Sequence, residues 1–325
     1  GNLYIGGDFT DAGDASGDGI VKCTSAGILS SLGTGCDNNG VHAIAIESNT
    51  GDIYVGGDFT TIGGVANTAR IAYYDVSASV WKPLDTGLAD GQVSTLAFAP
   101  NGNLYIGGSF TNADGANGDY ICYWDGSAFN MLGDTELSAA VEDLMFDANG
   151  VLYAGGSFVN AGDDANADNI AKFKGNIWSA LGPGLNSYVL SIDIDIDEGI
   201  LVAGNFSKAG DINVVRLAKW YNGSWISVNV LLAGTPFVID SLSTSKRDLY
   251  IAGTFNGTTI GCDQKIITNN GNTKVYPIIE ILGPGVLQSI TNYTTGKSIT
   301  FDGLTLQVGE RITIHTDPVN FPIRE

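Results

Sequence analysis

The chain has 325 residues, of which 45 are glycine, 35 are acidic and 15 are Lys or Arg, so its formal net charge is −20. Proteins that bind DNA or RNA neutralise phosphates with Lys and Arg, so this charge excludes nucleic acid as a partner. With 44% hydrophobic residues the chain is too apolar to remain disordered. Glycine at about twice its usual share of ~7%, without a collagen period, indicates many tight turns in an all-β protein.

Targeting signals are absent from the sequence. It contains no apolar run of roughly 18 residues, no basic leader and no lipidation motif, so no membrane insertion is expected. The chain starts at Gly1, inside a repeated element, which predicts a processed or truncated product.

A glycine-rich element recurs six times. Its copies read LYIGGDF (residues 3–9), IYVGGDF (53–59), LYIGGSF (104–110), LYAGGSF (152–158), LVAGNF (201–206) and LYIAGTF (249–255). The closing phenylalanines are 50, 51, 48, 48 and 49 residues apart. Paired glycines weaken a strand unless backbone approaches closely, and no phosphate-binding pattern surrounds them. We therefore interpret the recurring residues of the first four copies as architectural: Gly6, Gly7, Phe9, Gly56, Gly57, Phe59, Gly107, Gly108, Phe110, Gly155, Gly156 and Phe158.

Other strand patterns keep the same phase. An apolar alternation precedes each glycine element, as in residues 93–98, and an IAYY-like segment follows it, as in residues 71–74. A turn such as Asp125-Gly126 then leads to a strand with an aromatic residue. Each unit thus reads as four short antiparallel strands, which is typical of a β-propeller blade. We predict six blades, with seven as the alternative if part of the chain is absent.

These motifs carry a resemblance. The unit V-x-x-L-A-x(5)-G-x-LYIGG-x-F-T-x-A-G, followed by IA-x-W-DG and W-x-x-LG, resembles the GG-x-F repeats of delta-60-like and kelch-like propellers. Such repeats are found in secreted and surface proteins of bacteria and in bacteriophage products. The resemblance covers roughly residues 1–262, and it is specific for the fold rather than for a function.

The repeat stops after Phe255, and Thr, Ile and Val then alternate between glycine turns. This pattern predicts a small C-terminal β-sandwich. The predicted domains are a propeller over residues 1–268, a linker over 269–275 and the sandwich over 276–325.

The C-terminal segment carries a second resemblance. Its order YP-x-I-x-I-x-GPG, I-x-N-x-TTG-K and L-x-VGE-x-I-x-IHT resembles the C-terminal β-sandwich of siphovirus-type phage tail proteins, including the distal tail protein family. Those domains usually continue through further strands, whereas this chain stops at Glu325. The resemblance implies a virion or extracellular location and assembly with other tail proteins or with copies of itself.

Loops rich in Asp, Asn and Gly follow the glycine elements. Ca²⁺ takes six to eight oxygen ligands, so a calcium site is one interpretation, and simple turn formation is the alternative. The candidate calcium ligands are Asp11, Asp14, Asp18, Asp163, Asp164 and Asp168. No other cofactor is expected.

Only two histidines occur, His42 and His315, so neither a catalytic triad nor a multi-histidine metal site is expected. His42 takes the repeat position of Ser94 and Glu142, where a structural role is favoured over one in the central channel. The acidic run at residues 193–198 alternates with isoleucines, so its acids are expected on one side of a strand. It would supply either a carboxylate pair for glycoside hydrolysis or a solvated face.

Cysteines and tryptophans complete the candidates. Cys23 and Cys36 are thirteen residues apart, and a disulfide between them stays open. Cys122 takes the place of a small buried residue. The five tryptophans recur at equivalent positions, where they would pack between blades or stack on sugars: Trp81, Trp124, Trp178, Trp220 and Trp225.

The sequence therefore predicts a noncatalytic structural or adhesion protein of a phage tail or phage-derived particle, with no catalytic residues. The expected partners are other virion proteins or further copies of the chain, and a host-surface glycan or protein. One alternative is a secreted or cell-surface propeller that binds glycan or protein ligands. A propeller glycosidase is a weaker one.

Overall fold

The computed structural model describes residues 2–10, 12, 18–37, 40–113, 118–228, 238–245 and 248–254, and four strands between residues 278 and 315. The chain separates into two compact units, Gly1–Asn229 with Thr235–Asn256, and Val230–Gly234 with Gly257–Glu325. The predicted linker over residues 269–275 lies outside the described residues. In the described part, no helix has the length and apolarity that crossing a membrane requires.

The first unit consists of antiparallel sheets in which spatial order follows chain order. Sheet one contains β1 (Leu3–Gly6), β2 (Ile20–Cys23) and β3 (Leu29–Ser31). Sheet two contains β4 (Val41–Ile46), β5 (Ile53–Gly57), β6 (Ile71–Asp75) and β7 (Val80–Pro83). Sheet three contains β8 (Val93–Phe98), β9 (Leu104–Gly108), β10 (Ile121–Trp124) and β11 (Phe129–Met131). Sheet four contains β12 (Val141–Phe146), β13 (Leu152–Gly156), β14 (Ile170–Lys174) and β15 (Ile177–Ala180).

Sheet five contains β16 (Val189–Ile194), β17 (Ile200–Gly204), β20 (Leu217–Tyr221) and β21 (Ser224–Ser227). Its loop carries a small hairpin of β18 (Lys208–Ala209) and β19 (Ile212–Asn213). Sheet six consists of β22 (Val238–Ser245) and β23 (Asp248–Thr254). A 3-10 turn over Ala161–Asp163 lies in the loop after β13.

Neighbouring sheets stack face to face through their first strands, β4 on β8, β8 on β12, β12 on β16 and β16 on β22. Apolar side chains of two sheets fill each layer between them. In one layer, Leu104 and Ile106 of sheet three belong to the cluster against which Tyr54 and Tyr73 of sheet two pack. Stacked four-stranded antiparallel sheets are the blades of a β-propeller. The first unit is therefore a β-propeller, and the six predicted repeats correspond to six sheets.

Sheet one presents one apolar face to solvent. Leu3 is 62% exposed, whereas its equivalent Leu104 in sheet three is 1% exposed. Ile5 of sheet one is likewise exposed, whereas the equivalent Ile106 is buried. Within the described residues, these two positions of sheet one are thus not covered by another sheet.

The paired glycines lie where chain segments crowd together. A Cβ atom on Gly107, the first of its pair, would lie 2.7 Å from Val141 Cγ1 of the next sheet. A Cβ atom on Gly57, the second of its pair, would overlap the carbonyl oxygen of Gly40 just before β4. The first glycine thus permits two sheets to stack, and the second permits close approach within one sheet.

The phenylalanine that closes each glycine element anchors the loop that follows. Phe59, Phe110, Phe158 and Phe206 are fully buried. The carbonyl oxygen of Phe110 accepts a hydrogen bond from the amide of Tyr120, the residue just before β10, at 2.9 Å. The buried ring and this backbone hydrogen bond together hold the end of the loop against the sheet.

The second unit contains two antiparallel strand pairs. β24 (Ile278–Leu282) pairs with β27 (Arg311–His315), and β25 (Gly285–Asn292) pairs with β26 (Lys297–Leu306). His315 lies opposite Ile278 at the end of its strand. These two pairs lie in the segment for which the sequence predicts a small β-sandwich of four or more strands.

Candidate functional site

The first strand of each of sheets two to six contains a β-bulge near its beginning. The pairing with the second strand shifts register around one residue: His42, Ser94, Glu142, Leu190 or Asp240. A bulge redirects the side chain of the extra residue and bends the strand. The three-residue step from Val93 to Leu96, which breaks strict alternation, was the signal for it in the sequence.

Polar side chains that follow the bulges connect consecutive sheets. Thr95 Oγ1 accepts a hydrogen bond from the amide of Leu144 at 3.2 Å. Asp143 Oδ2 accepts one from Ile192 at 2.7 Å, and Ser191 Oγ accepts one from Leu242 at 3.1 Å. We call Thr95, Asp143 and Ser191 the polar ladder. It bonds backbone amides of one sheet to side chains of the preceding sheet, in addition to the apolar layers.

Asp143 is the ionisable member of the ladder. Its carboxylate accepts bonds from the Ile192 and Leu144 amides and from the hydroxyls of Thr95 and Ser191. Part of its surface remains accessible to solvent, yet burial is the largest influence and raises the pKa of the carboxyl to about 6. Burial dominates because the four hydrogen bonds favour the ionised form and would lower the pKa.

The raised pKa predicts how Asp143 affects stability. The folded chain holds this proton up to about pH 6, whereas the unfolded chain releases it near the usual aspartate pKa of 3.8. Stability therefore falls as pH rises from about 4 to 6, on the order of 2–3 kcal/mol from this group. Asp143→Ser introduces the residue type that Ser191 has at the equivalent position. The free energy of unfolding of this variant should not show this fall between about pH 4 and 6. Urea unfolding of both proteins at pH 4.5 and 7 would measure it, and equal pH slopes would contradict the prediction.

Three potential metal ligands meet between sheets one and two. Asp8 follows β1, His42 is the bulged residue of β4, and Asp58 follows β5. His42 Nε2 lies 3.7 Å from Asp8 Oδ1 and 3.6 Å from Asp58 Oδ1. Of the residues that the structure describes, this is the only group of three His, Cys, Asp or Glu side chains whose ligand atoms lie mutually within 4.8 Å.

Two of the predicted calcium ligands in the fourth loop hold backbone turns. Asp164 accepts hydrogen bonds from the amides of Asn166 and Ala180, and Asp168 accepts one from Asn160. The Asn166 bond is the turn chemistry of the alternative interpretation, and the Ala180 bond joins the loop to the end of β15. Asp11 and Asp14 lie outside the described residues. A calcium site at Asp18, Asp163, Asp164 and Asp168 stays a prediction.

The acidic run in sheet five differs from its predicted form. β16 ends at Ile194, so Asp195 and Asp197 lie in the following turn rather than on one face of a strand. Lys219 Nζ, almost fully buried, lies 2.6 Å from a carboxylate oxygen of each. The two carboxylates therefore serve as counterions of one lysine, because a buried ammonium group needs paired charge.

The tryptophans recur at two positions of the sheets, and these two positions face each other. Trp81, Trp178 and Trp225 lie on the fourth strands, whereas Trp124 and Trp220 lie on the third. Trp220 and Trp225 contact each other with ring centroids 5.2 Å apart. The three fourth-strand tryptophans are buried. Trp225 donates its Nε1–H to the carbonyl oxygen of Leu181 in the preceding sheet at 2.9 Å. These residues pack between blades.

Cys23 and Cys36 are free thiols. Cys36 donates to the carbonyl oxygen of Asp18 at 3.4 Å, and burial raises the pKa of its thiol to about 11. Cys122 is fully buried beside sheet two, as expected for a small packed residue.

A pocket lies at the opposite end of the inner strands from the bulges. The turns that follow β4, β8 and β12 surround it, and its lining includes Glu47, Asn49, Phe98, Asn101, Phe146 and Asp147. Phe98 and Phe146 contact Tyr54 and Tyr105 edge to face, at 5.2 and 4.9 Å between centroids. The pocket therefore combines fixed aromatic rings with carboxylates and amides; we call it the inner-hairpin pocket.

Comparison with known proteins gives no family assignment. No family model and no curated protein matches the chain. Among solved structures, the extracellular domain of a hybrid two component system from B. thetaiotaomicron matches at 13% identity and a TM-score of 0.43, over 90% of this chain. This chain spans 41% of that structure. Virginiamycin B lyase from Staphylococcus aureus matches at 13% identity and a TM-score of 0.44, over 77% of this chain and 67% of that one. Likenesses this distant transfer no activity.

Proposed function

We propose that this chain is a noncatalytic structural and adhesion protein of a phage tail or phage-derived particle, located on the virion or outside the cell. Its propeller binds a surface glycan or protein through the inner-hairpin pocket. Its separate C-terminal unit assembles with other tail proteins or with further copies of the chain. The pocket is the observation that carries the proposal.

The chemistry of the pocket suits a carbohydrate. Binding sites commonly combine apolar walls with a few placed polar groups. Phe98 and Phe146 offer aromatic surface to the apolar faces of sugar rings, and their contacts with tyrosines hold them in place. Asn49, Asn101 and the carboxylates of Glu47 and Asp147 supply hydrogen-bonding groups for hydroxyls. Because the three turns come from consecutive blades, blade stacking fixes their spacing.

A blocking substitution tests this role. Ala148 is an exposed residue of the pocket, and Ala148→Arg would place a long charged side chain at its mouth. We expect the full chain to bind an array of bacterial surface polysaccharides or intact cells, and Ala148→Arg to lose at least about tenfold in affinity, or ~1.4 kcal/mol. Ala78→Arg is the matched control, because Ala78 is exposed on the turn between β6 and β7.

Three outcomes would count against the proposal. They are the absence of binding to any polysaccharide or cell, equal binding by both variants, and release of new reducing ends from a polysaccharide. Antibodies against the full chain should label one end of purified particles. Labelling of the cell surface alone would favour the secreted or cell-surface alternative.

A further inference from the structure

We propose that Asp8, His42 and Asp58 form a binding site for a divalent transition-metal ion such as Zn²⁺, between sheets one and two. This site is independent of the inner-hairpin pocket, since the bulges lie at the other end of the inner strands. It also differs from the calcium loops in its donors. A histidine nitrogen with two carboxylates suits Zn²⁺ and its neighbours, whereas Ca²⁺ prefers oxygen ligands alone.

The distances from the His42 nitrogen to the two carboxylates are closer to the spacing of two ligands on one metal ion than to the length of a hydrogen bond. Zn²⁺ holds nitrogen and oxygen ligands at about 2.0–2.2 Å, so two ligands of a tetrahedral ion lie about 3.4 Å apart. His42 Nε2 lies 3.7 and 3.6 Å from the oxygens of Asp8 and Asp58. Hydrogen bonds from ring nitrogen to oxygen are shorter, about 2.7–3.2 Å. The histidine–carboxylate distances exceed this ligand spacing by a few tenths of an ångström, and all three ligand atoms lie within 4.8 Å of one another.

The fold positions each ligand on a separate element. The bulge in β4 turns His42 out of the alternation, and Asp58 follows the paired strand β5 in the same sheet. Asp8 arrives from sheet one. Its carboxylate lies against Gly40, where a Cβ atom would overlap Asp8 Oδ1. Three protein ligands leave the fourth position of a tetrahedral ion for water, and the 79% exposed Asp8 side chain places the site within reach of solvent.

The repeat provides an internal comparison. The position of His42 is occupied by Ser94, Glu142, Leu190 and Asp240 in later sheets. The position of Asp8 and Asp58 is occupied by Ser109, Ser157, Asn205 and Thr254, and that of Gly40 by Gln92, Ala140 and Tyr188. Four departures from the other repeats therefore coincide at one junction between sheets, and together they assemble the ligand set.

The experiment uses residues that the repeat itself contains. We expect the full chain to bind one Zn²⁺ by calorimetry, and one Co²⁺ with visible absorption but without thiolate charge-transfer bands. His42→Ser and Asp58→Ser, which introduce the residue types of Ser94 and Ser109, should weaken binding at least about tenfold. Gly40→Ala should also weaken it, by displacing the Asp8 carboxylate. Glu142→Ser, at the equivalent bulge, should bind as the parent chain does.

A second measurement separates a metal site from a folding effect. Zn²⁺ should raise the thermal unfolding midpoint of the parent chain and of Glu142→Ser, since an ion that binds only the folded state stabilises it. It should leave the midpoint of His42→Ser unchanged. Failure of the parent chain to bind Zn²⁺ or Co²⁺ overturns the proposal. So does equal binding by all variants, which would mean adventitious binding to this acidic surface.

Discussion

Replacing Phe110 by alanine is expected to lower the free energy of unfolding by about 3–5 kcal/mol. Phe110 closes the third glycine element, and its ring is fully buried in the layer between sheets two and three. The substitution removes aromatic surface from this layer and leaves a cavity that the stacked sheets cannot close. The backbone bond from Tyr120 to the Phe110 carbonyl would remain, so the loss reports packing alone.

The chain contains a matched control for this experiment. Phe9 occupies the same repeat position in sheet one but is only partly buried. Phe9→Ala should therefore lower the urea concentration at the unfolding midpoint markedly less than Phe110→Ala does. Comparable losses would contradict the assignment of the phenylalanines as anchors of the layers between sheets.

Gly57→Ala should destabilise the protein by about 1–3 kcal/mol, although it adds one methyl group. The new Cβ would overlap the carbonyl oxygen of Gly40, a backbone atom that cannot rotate away. Relief of the overlap requires the segment before β4 to move, and this movement would disturb the pairing of Val41 with Gly57. Thermal unfolding monitored by circular dichroism would show a lower midpoint.

Gly7 is the corresponding glycine of sheet one, and its surroundings differ. The nearest atom to a Cβ on Gly7 would be a ring carbon of Phe9, at 3.4 Å, which is an ordinary contact. Gly7→Ala should thus be neutral or slightly stabilising. Alanine lowers the conformational entropy of the unfolded chain, which raises the free energy of unfolding by about 0.4–1 kcal/mol. A large loss at Gly7 would mean that this position is crowded in sheet one as well.

The sequence repeat predicted the blades because each blade places the same requirements on its backbone, at the same positions of the repeat. A strand that must approach its neighbours closely requires glycine, and a loop that returns to its sheet requires a large apolar anchor such as Phe110. The left-handed residue before the strand that follows each glycine element was not predictable in this way. Gly19 occupies that position before β2, but Arg70, Tyr120 and Asn169 take the same conformation before β6, β10 and β14. Their backbone bonds to the preceding phenylalanine carbonyl enforce it.

The candidate sites followed the sequence less closely. The acidic run was expected on one strand face, yet a turn and Lys219 decide its role. The tryptophans recur in phase with the repeat, but the sequence does not show that those of the third and fourth strands contact each other. His42 was singled out from the sequence only as a residue of an inner strand.

The sequence by itself determined the kind of fold. The signals for it are local and recur in the repeats: the alternating strand pattern, the glycine pairs and the anchoring phenylalanines. Only the tertiary structure decided which side chains meet. Asp8 and His42 belong to different repeats, and they come together because two sheets stack and a bulge turns one side chain outward. Contacts between sheets depend on that stacking geometry, which cannot be predicted from any single segment of the sequence.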